Sequence, residues 1–157
     1  MDEFEDIRPY RDDEVRPVVD RLLQDDDLSS ALAKFRHPLL YTFFPGWVTK
    51  KAHAILSEEI AHVQTIHDVQ KIIEKYLDAL IESTTTSLTS EGLESLDTTE
   101  PYLFMSNHRD ITMDPALCNY MIYHHGLETL QIAIGDNLLQ RPFLTDLMKL
   151  NKSFIVK

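Results

Sequence analysis

Val15, Val18, Val19, Leu22 and Leu23 recur at spacings of three and four, and that period predicts a helix over residues 13–23. Pro17 falls in its first turn, and Asp12, Asp13 and Glu14 suit its positive N-terminal end. Asp25-Asp26-Asp27 interrupts the pattern, and a second short helix is expected over 28–35. From 48 to 83 the helical spacing returns, through Ala52, Ile55, Leu56, Ile60 and Val63 and then Val69, Ile72, Ile73, Tyr76, Leu77, Leu80 and Ile81. Two helices with a bend at 65–68 fit it best. Before these helices, residues 1–13 alternate acids with Phe4, Ile7 and Tyr10 and read as an extended surface arm with few anchors.

After residue 83 the period changes. The Ser/Thr-rich stretch 83–90 reads as a helix end leading to an edge strand, and Tyr102-Leu103-Phe104-Met105 as a buried strand. A helix over 115–125 closed by Gly126, an alternating strand over 130–134, a helix over 142–150 and a strand over 153–157 complete the series. Strand, helix, strand, helix, strand is the order of a parallel sheet with helical crossovers. The fold class expected is α/β: an N-terminal helical region, 1–85, followed by the first part of a mostly parallel strand-helix domain, 86–157. Because the chain stops on Phe154-Ile155-Val156-Lys157, in the middle of a strand, an open sheet edge and a truncated domain are expected.

Composition narrows the function classes. A net charge of -11 over 157 residues argues against nucleic acid as a partner. The single Cys118 excludes an internal disulfide framework, and no apolar run approaches the length of a membrane span, so a cytoplasmic setting is expected. Residues 35–48 gather Phe35, Tyr41, Phe43, Phe44 and Trp47 between Lys34, Arg36, Lys50 and Lys51. Two readings stand: the aromatics dock the N-terminal helices on the rest of the fold, or Phe43, Phe44 and Trp47 make peripheral contact with a membrane. His53, His62 and His67, spaced by nine and five, do not share one helical face and are read as ordinary histidines rather than metal ligands.

The densest chemistry lies where the apolar run at 102–105 meets Ser106-Asn107-His108-Arg109-Asp110-Ile111-Thr112-Met113-Asp114-Pro115. This sets an imidazole at the carboxyl end of an expected strand, where α/β folds carry their sites. Asp114-Pro115 is a helix-start signal, with Asp as N-cap and Pro at the first helical position. A carboxylate there, facing an imidazole on the preceding turn, fixes its tautomer and stabilises the imidazolium, which makes His108 a candidate general base. Asp110 is a rival partner for His108, and Arg109 competes for either carboxylate. A metal-dependent hydrolase using His108, Asp110 and Asp114, with His124 or His125, is an alternative. So is a non-catalytic module whose acidic helical half recruits a partner.

Ser106-Asn107-His108-Arg109-Asp110-Ile111-Thr112-Met113-Asp114 resembles the first motif of the glycerolipid acyltransferases, Asn-His followed by four residues and Asp; here five residues intervene. Ile134-Gly135-Asp136-Asn137-Leu138 is similar to that family's Gly-x-Asn-Leu segment, and Leu147-Met148-Lys149-Leu150-Asn151-Lys152-Ser153-Phe154-Ile155-Val156-Lys157 to its Phe-Phe-Ile-Arg-Arg block. Glu91-Gly92-Leu93-Glu94-Ser95-Leu96 resembles the Gly-x-Glu-x-Leu lead-in. The resemblance implies that 86–157 begins an acyltransferase domain, inactive as a fragment, which moves an acyl group from a thioester to a hydroxyl of glycerol 3-phosphate or a lysophospholipid. Acyl-CoA or acyl carrier protein would be the co-substrate, with no other cofactor and no metal. It implies His108 as base with Asp114 as its partner, and Lys157, where the family has Arg, as an attractor of the acceptor's phosphate. Arg109 either touches phosphate or pairs with Asp110, and Gly135 and Asn137 shape a turn beside the site.

Overall fold

The computed structural model describes residues 4–107 and 109–157. In chain order the elements are α1 (Asp12–Leu23), α2 (Asp26–Arg36), α3 (Pro38–Phe43), α4 (Pro45–Glu59), α5 (Ile66–Thr84), α6 (Met113–His124), β1 (Ala133–Gly135), α7 (Pro142–Leu150) and β2 (Phe154–Val156). Short 3-10 turns lie at Leu93–Ser95 and Asp136–Leu138. The described chain is mostly helical with one small parallel sheet. It divides into two compact units, one formed by residues up to Ile72 with Ala133–Lys157, the other by Ile73–Ile132.

The first unit is built on the face of α1 that its spacing marked out. Val15, Val18, Val19 and Leu22 are buried with Ile60, Val63, Phe143 and Leu150, so α1 and α7 share one core through residues at i, i+3, i+4 and i+7. The expected bend is a break: α4 ends at Glu59 and α5 starts at Ile66. There Thr65 and Asp68 form a capping box: Thr65 Oγ1 accepts the Asp68 N–H at 3.1 Å, and the Asp68 carboxylate accepts the N–H groups of Gln64 and Thr65, each at 2.9 Å. β1, α7 and β2 form a strand-helix-strand unit in which Ala133, Ile134 and Gly135 pair in parallel with Phe154, Ile155 and Val156. Residues 130–132, expected in the first of these strands, lie outside it.

The N-terminal arm departs from its expectation. Its last two residues, Asp12 and Asp13, already belong to α1, and residues 4–11 have no helix or strand, yet they are tied down along their length. Arg8 grips Glu14 through two hydrogen bonds, at 2.7 and 3.0 Å, and also pairs with Glu5. Tyr10 donates its hydroxyl to Asp146 at 2.6 Å, and Arg21 donates to both oxygens of that carboxylate at 2.8 Å. Burial, and then the Asp146 hydrogen bond, push the Tyr10 hydroxyl up to about 12. The Ile155 N–H donates to the Ile7 carbonyl at 2.9 Å, so the arm covers a stretch of the β2 edge expected to stand open. Polar contacts between distant segments have no period, which is why the hydrophobic pattern does not reveal them.

The aromatic stretch also differs from the docking reading. Ala33, Val48 and Ala52 are the small buried residues where α2 meets α4, with Leu32 and Tyr41 packed against them. Helices held together by such small side chains leave no room for larger ones between them. Phe35, Leu39, Phe43, Phe44 and Trp47 are accordingly 61–80% exposed.

In the second unit, Tyr120 of α6 donates to Asp78 of α5 at 2.7 Å. α6, ending at His124, is closed by Gly126, whose φ of 89° only glycine adopts without strain. The Leu127 N–H reaches the Ile122 carbonyl and the Gly126 N–H the Tyr123 carbonyl, at 3.3 and 3.0 Å. This is a Schellman closure, and its accompanying apolar contact brings Leu127 to Ile122, both buried. The stretch 83–90 begins with the expected helix end, α5 stopping at Thr84 with the Ser83 and Thr84 hydroxyls bonded back to the Leu80 carbonyl, but the edge strand it was expected to lead to is absent among the described residues. The expected buried strand at 102–105 is neither buried nor hydrogen-bonded into a ladder, since the described sheet consists of β1 and β2 alone. Its exposures, 41, 86, 37 and 87% from Tyr102 to Met105, still alternate with period two. The segment is extended, with Tyr102 and Phe104 turned toward the unit.

Candidate active site

The turn from Arg109 to Thr112 is organised by two carboxylates that answer different backbone groups. Asp110 Oδ1 accepts the N–H groups of Thr112 and Met113, at 2.8 and 2.6 Å. These two bonds, Met113 first, hold the Asp110 carboxyl below its usual range. Asp114 Oδ2 accepts the N–H groups of Arg109 and Asp110, at 2.5 and 3.0 Å. The expected roles at the helix start are thus exchanged. α6 begins at Met113 with Thr112 as its N-cap residue and no side-chain cap from it, and Asp110 supplies the bonds a cap would. Asp114, inside the first turn, reaches back to the preceding turn instead. Pro115 is then the third helical residue, where a missing N–H still costs no intrahelical bond.

His108 lies outside the described residues. Arg109 and Asp110 are exposed and no hydrogen bond or ion pair joins them. Asp110 is engaged first by its two backbone donors, and the charge of Arg109 acts on it through space, helping to hold its carboxyl down.

Asp114 also begins a face of α6. Leu117, Cys118 and Met121 follow it at i+3, i+4 and i+7, so all four project from one side of the helix. Leu117, Cys118 and Met121 line an open recess of about 350 Å³, with Leu88, Leu93 and Phe104 opposite. The wall is mainly apolar and wholly within the second unit. Burial pushes the Cys118 thiol up, the reverse of what activates a thiol nucleophile, so Cys118 serves as lining. This recess was not foreseen; counting helical spacing forward from Asp114 would have found it.

In the first unit, Gly135, Asn137 and Lys157 gather at the carboxyl end of the parallel pair. Gly135 pairs with Val156, Lys157 is the next residue, and Asn137 sits in the 3-10 turn leaving β1. The Asn137 side chain folds back over Gly135 so closely that a β-carbon there would stand 2.5 Å from Oδ1. Lys157 is paired with Asp6, whose carboxyl it holds below the usual range. Both side chains are more than half exposed, so the pair is an exchangeable one. Sequence reasoning also missed Asp146 and Lys149, the buried charged residues of α7. They serve the arm: Asp146 as described, and Lys149 by donating to the Asp6 carbonyl at 3.2 Å with its ammonium 4.6 Å from the Tyr10 ring centre.

Among the described residues no three His, Cys, Asp or Glu side chains converge as a metal site requires, and no helix is long and apolar enough to cross a membrane. Residues 87–157 match the family model described as Acyltransferase. No curated protein and no solved structure matches the chain. The matched segment holds the Asp110–Asp114 turn, the recess and the carboxyl end of the β1–β2 pair, and supports acyl transfer as the general activity and a transferase as the class of enzyme.

Proposed function

We propose that this chain carries the base and the acyl-binding wall of an O-acyltransferase that moves a fatty acyl group from acyl-CoA or acyl carrier protein to a hydroxyl of glycerol 3-phosphate or a lysophospholipid. The observation that carries the reading is the join, on one face of α6, between Asp114 and the apolar recess, within the segment that matches the acyltransferases. An acyl chain laid along Leu117, Cys118 and Met121 has its reactive end at the N-terminus of α6, beside the motif turn. His108 removes the proton of the acceptor hydroxyl as its oxygen attacks the thioester carbonyl. The tetrahedral intermediate collapses with cleavage of the C–S bond, and the departing thiolate takes a proton from the imidazolium. Asp114 positions that imidazole and stabilises its charged form.

Beside the motif turn, Arg109 attracts the acceptor's phosphate; at the carboxyl end of the β1–β2 pair, Lys157 offers a cation that an anion can take from Asp6. Gly135 and Asn137 shape the turn beside Lys157. The test is turnover of the full-length protein with acyl donor and glycerol 3-phosphate. His108→Ala is expected to lower kcat by about 10²- to 10⁴-fold; retained turnover in that variant overturns the reading.

A further inference from the structure

Residues 28–57 contain Lys34, Arg36, Lys50 and Lys51 and no Asp or Glu, in a chain where 26 of 157 residues are acidic. The same segment displays Phe35, Leu39, Phe43, Phe44 and Trp47, each more than 60% exposed. These are not loose side chains. α2, α3 and α4 are packed on one another through Ala33, Val48, Ala52 and Tyr41, and α3 has no buried residue of its own. Pro38 and Pro45 open α3 and α4, with their fixed φ suited to a first turn. A preformed ridge of aromatic and leucine side chains therefore stands out from this unit, with exposed Lys34, Lys50 and Lys51 around it. The Lys51 ammonium lies 5.4 Å from the Trp47 ring centre.

We propose that this ridge seats on an anionic lipid bilayer, the rings entering the headgroup layer and the lysines meeting lipid phosphate. Charge selects the occupant. The absence of acids from this one segment of a strongly acidic chain complements a negative surface and keeps the rest of the molecule directed away from it. A second copy of the chain would set the same cations against each other across a symmetric contact. Phe and Trp flanked by lysines match the depth profile of a bilayer surface, with rings at the interface and charge just above.

Trp47 is the single tryptophan of the chain, so its emission reports the event directly. The full-length protein is expected to co-sediment with vesicles of phosphatidylglycerol and phosphatidylcholine, with a blue shift of Trp47 emission, and to bind phosphatidylcholine vesicles far less. Phe43→Ser with Phe44→Ser, at exposed positions that leave the helix contacts intact, is expected to weaken binding by about tenfold or more. Lys50→Glu with Lys51→Glu is expected to do the same by reversing the charge. Absence of co-sedimentation overturns the proposal, as does binding that neither pair of substitutions reduces. Self-association without vesicles that the Phe43/Phe44 pair abolishes also overturns it, assigning the ridge to a second copy. The readout needs no turnover, so it stands or falls separately from acyl transfer.

Discussion

Asp110 and Asp114 stand four residues apart on the same turn, and their hydrogen bonds run in opposite directions along the chain. Asp110 looks forward, to the N–H groups of Thr112 and Met113 that open α6, while Asp114 looks back to those of Arg109 and Asp110. The first is a helix-capping role and the second fixes the shape of the turn that follows His108 in reverse. A pair of substitutions separates them. Asp110→Ala is expected to cost about 1 kcal/mol of stability, the usual loss for a cap, and to change turnover by only a few fold. Asp114→Asn keeps one oxygen that can stand where Oδ2 accepts both N–H groups and so keeps most of the stability, but is expected to lower kcat by about 10²-fold or more. Thermal melts and kcat on the two proteins check this. The opposite assignment, with Asp110 controlling turnover, would make Asp110 the partner of His108. Sequence alone left these two carboxylates as rivals, because Asp serves equally as cap, as turn former and as imidazole partner. Which N–H groups each one meets depends on where α6 begins, two residues before Pro115 rather than at it.

At the scale of elements, hydrophobic period served where an element buries one face against a neighbour close at hand. α1 and α7 came out within a residue of expectation, since Val15, Val18, Val19 and Leu22 on the one and Phe143 and Leu150 on the other meet in a single core. Period failed at 102–105 because alternation specifies which side of an extended segment faces in, not whether another strand lies alongside to complete its ladder. It also failed at 35–48, where large aromatics read as core and the small Ala33, Val48 and Ala52 fill the contact instead. α6 holds an intermediate case: its C-terminal end was legible from Gly126, its start and its lining face were not. That face makes a further prediction. Met121→Trp adds bulk to the wall of the recess, and is expected to lower kcat/KM for long-chain donors by about tenfold while sparing short-chain ones, as lost space in an apolar pocket does. Equal loss with every chain length would mean that the substitution harms the unit rather than shortening an acyl site.

At the scale of the whole molecule, the arm joins parts of the first unit far apart in sequence, and it does so with charge. Arg8 binds Glu14 and Glu5, Lys157 pairs with Asp6, and Tyr10 and Arg21 share Asp146. None of these contacts has a periodic signature, which is why the arm read as weakly anchored. They do have a titration signature. Arg8, acting first through its hydrogen bonds and aided by the Arg11 N–H, holds the Glu14 carboxyl down at about 2, against an ordinary 4.5. The folded protein therefore keeps Glu14 ionised at pH values where the unfolded chain has already taken up a proton. Stability from this contact is fully present above pH 4.5 and declines as pH falls toward about 2. Glu5 and Asp6, also held below their usual range, act in the same direction but lie at the surface and are screened by salt. In urea titrations across that window, the wild-type midpoint is expected to fall with pH more steeply than that of Glu14→Gln, which has no carboxyl to protonate. Above pH 4.5 the order of stability follows the lost ion pair, with the variant lower. Parallel pH profiles for the two proteins would mean that Arg8 and Glu14 do not hold the arm to α1 in solution.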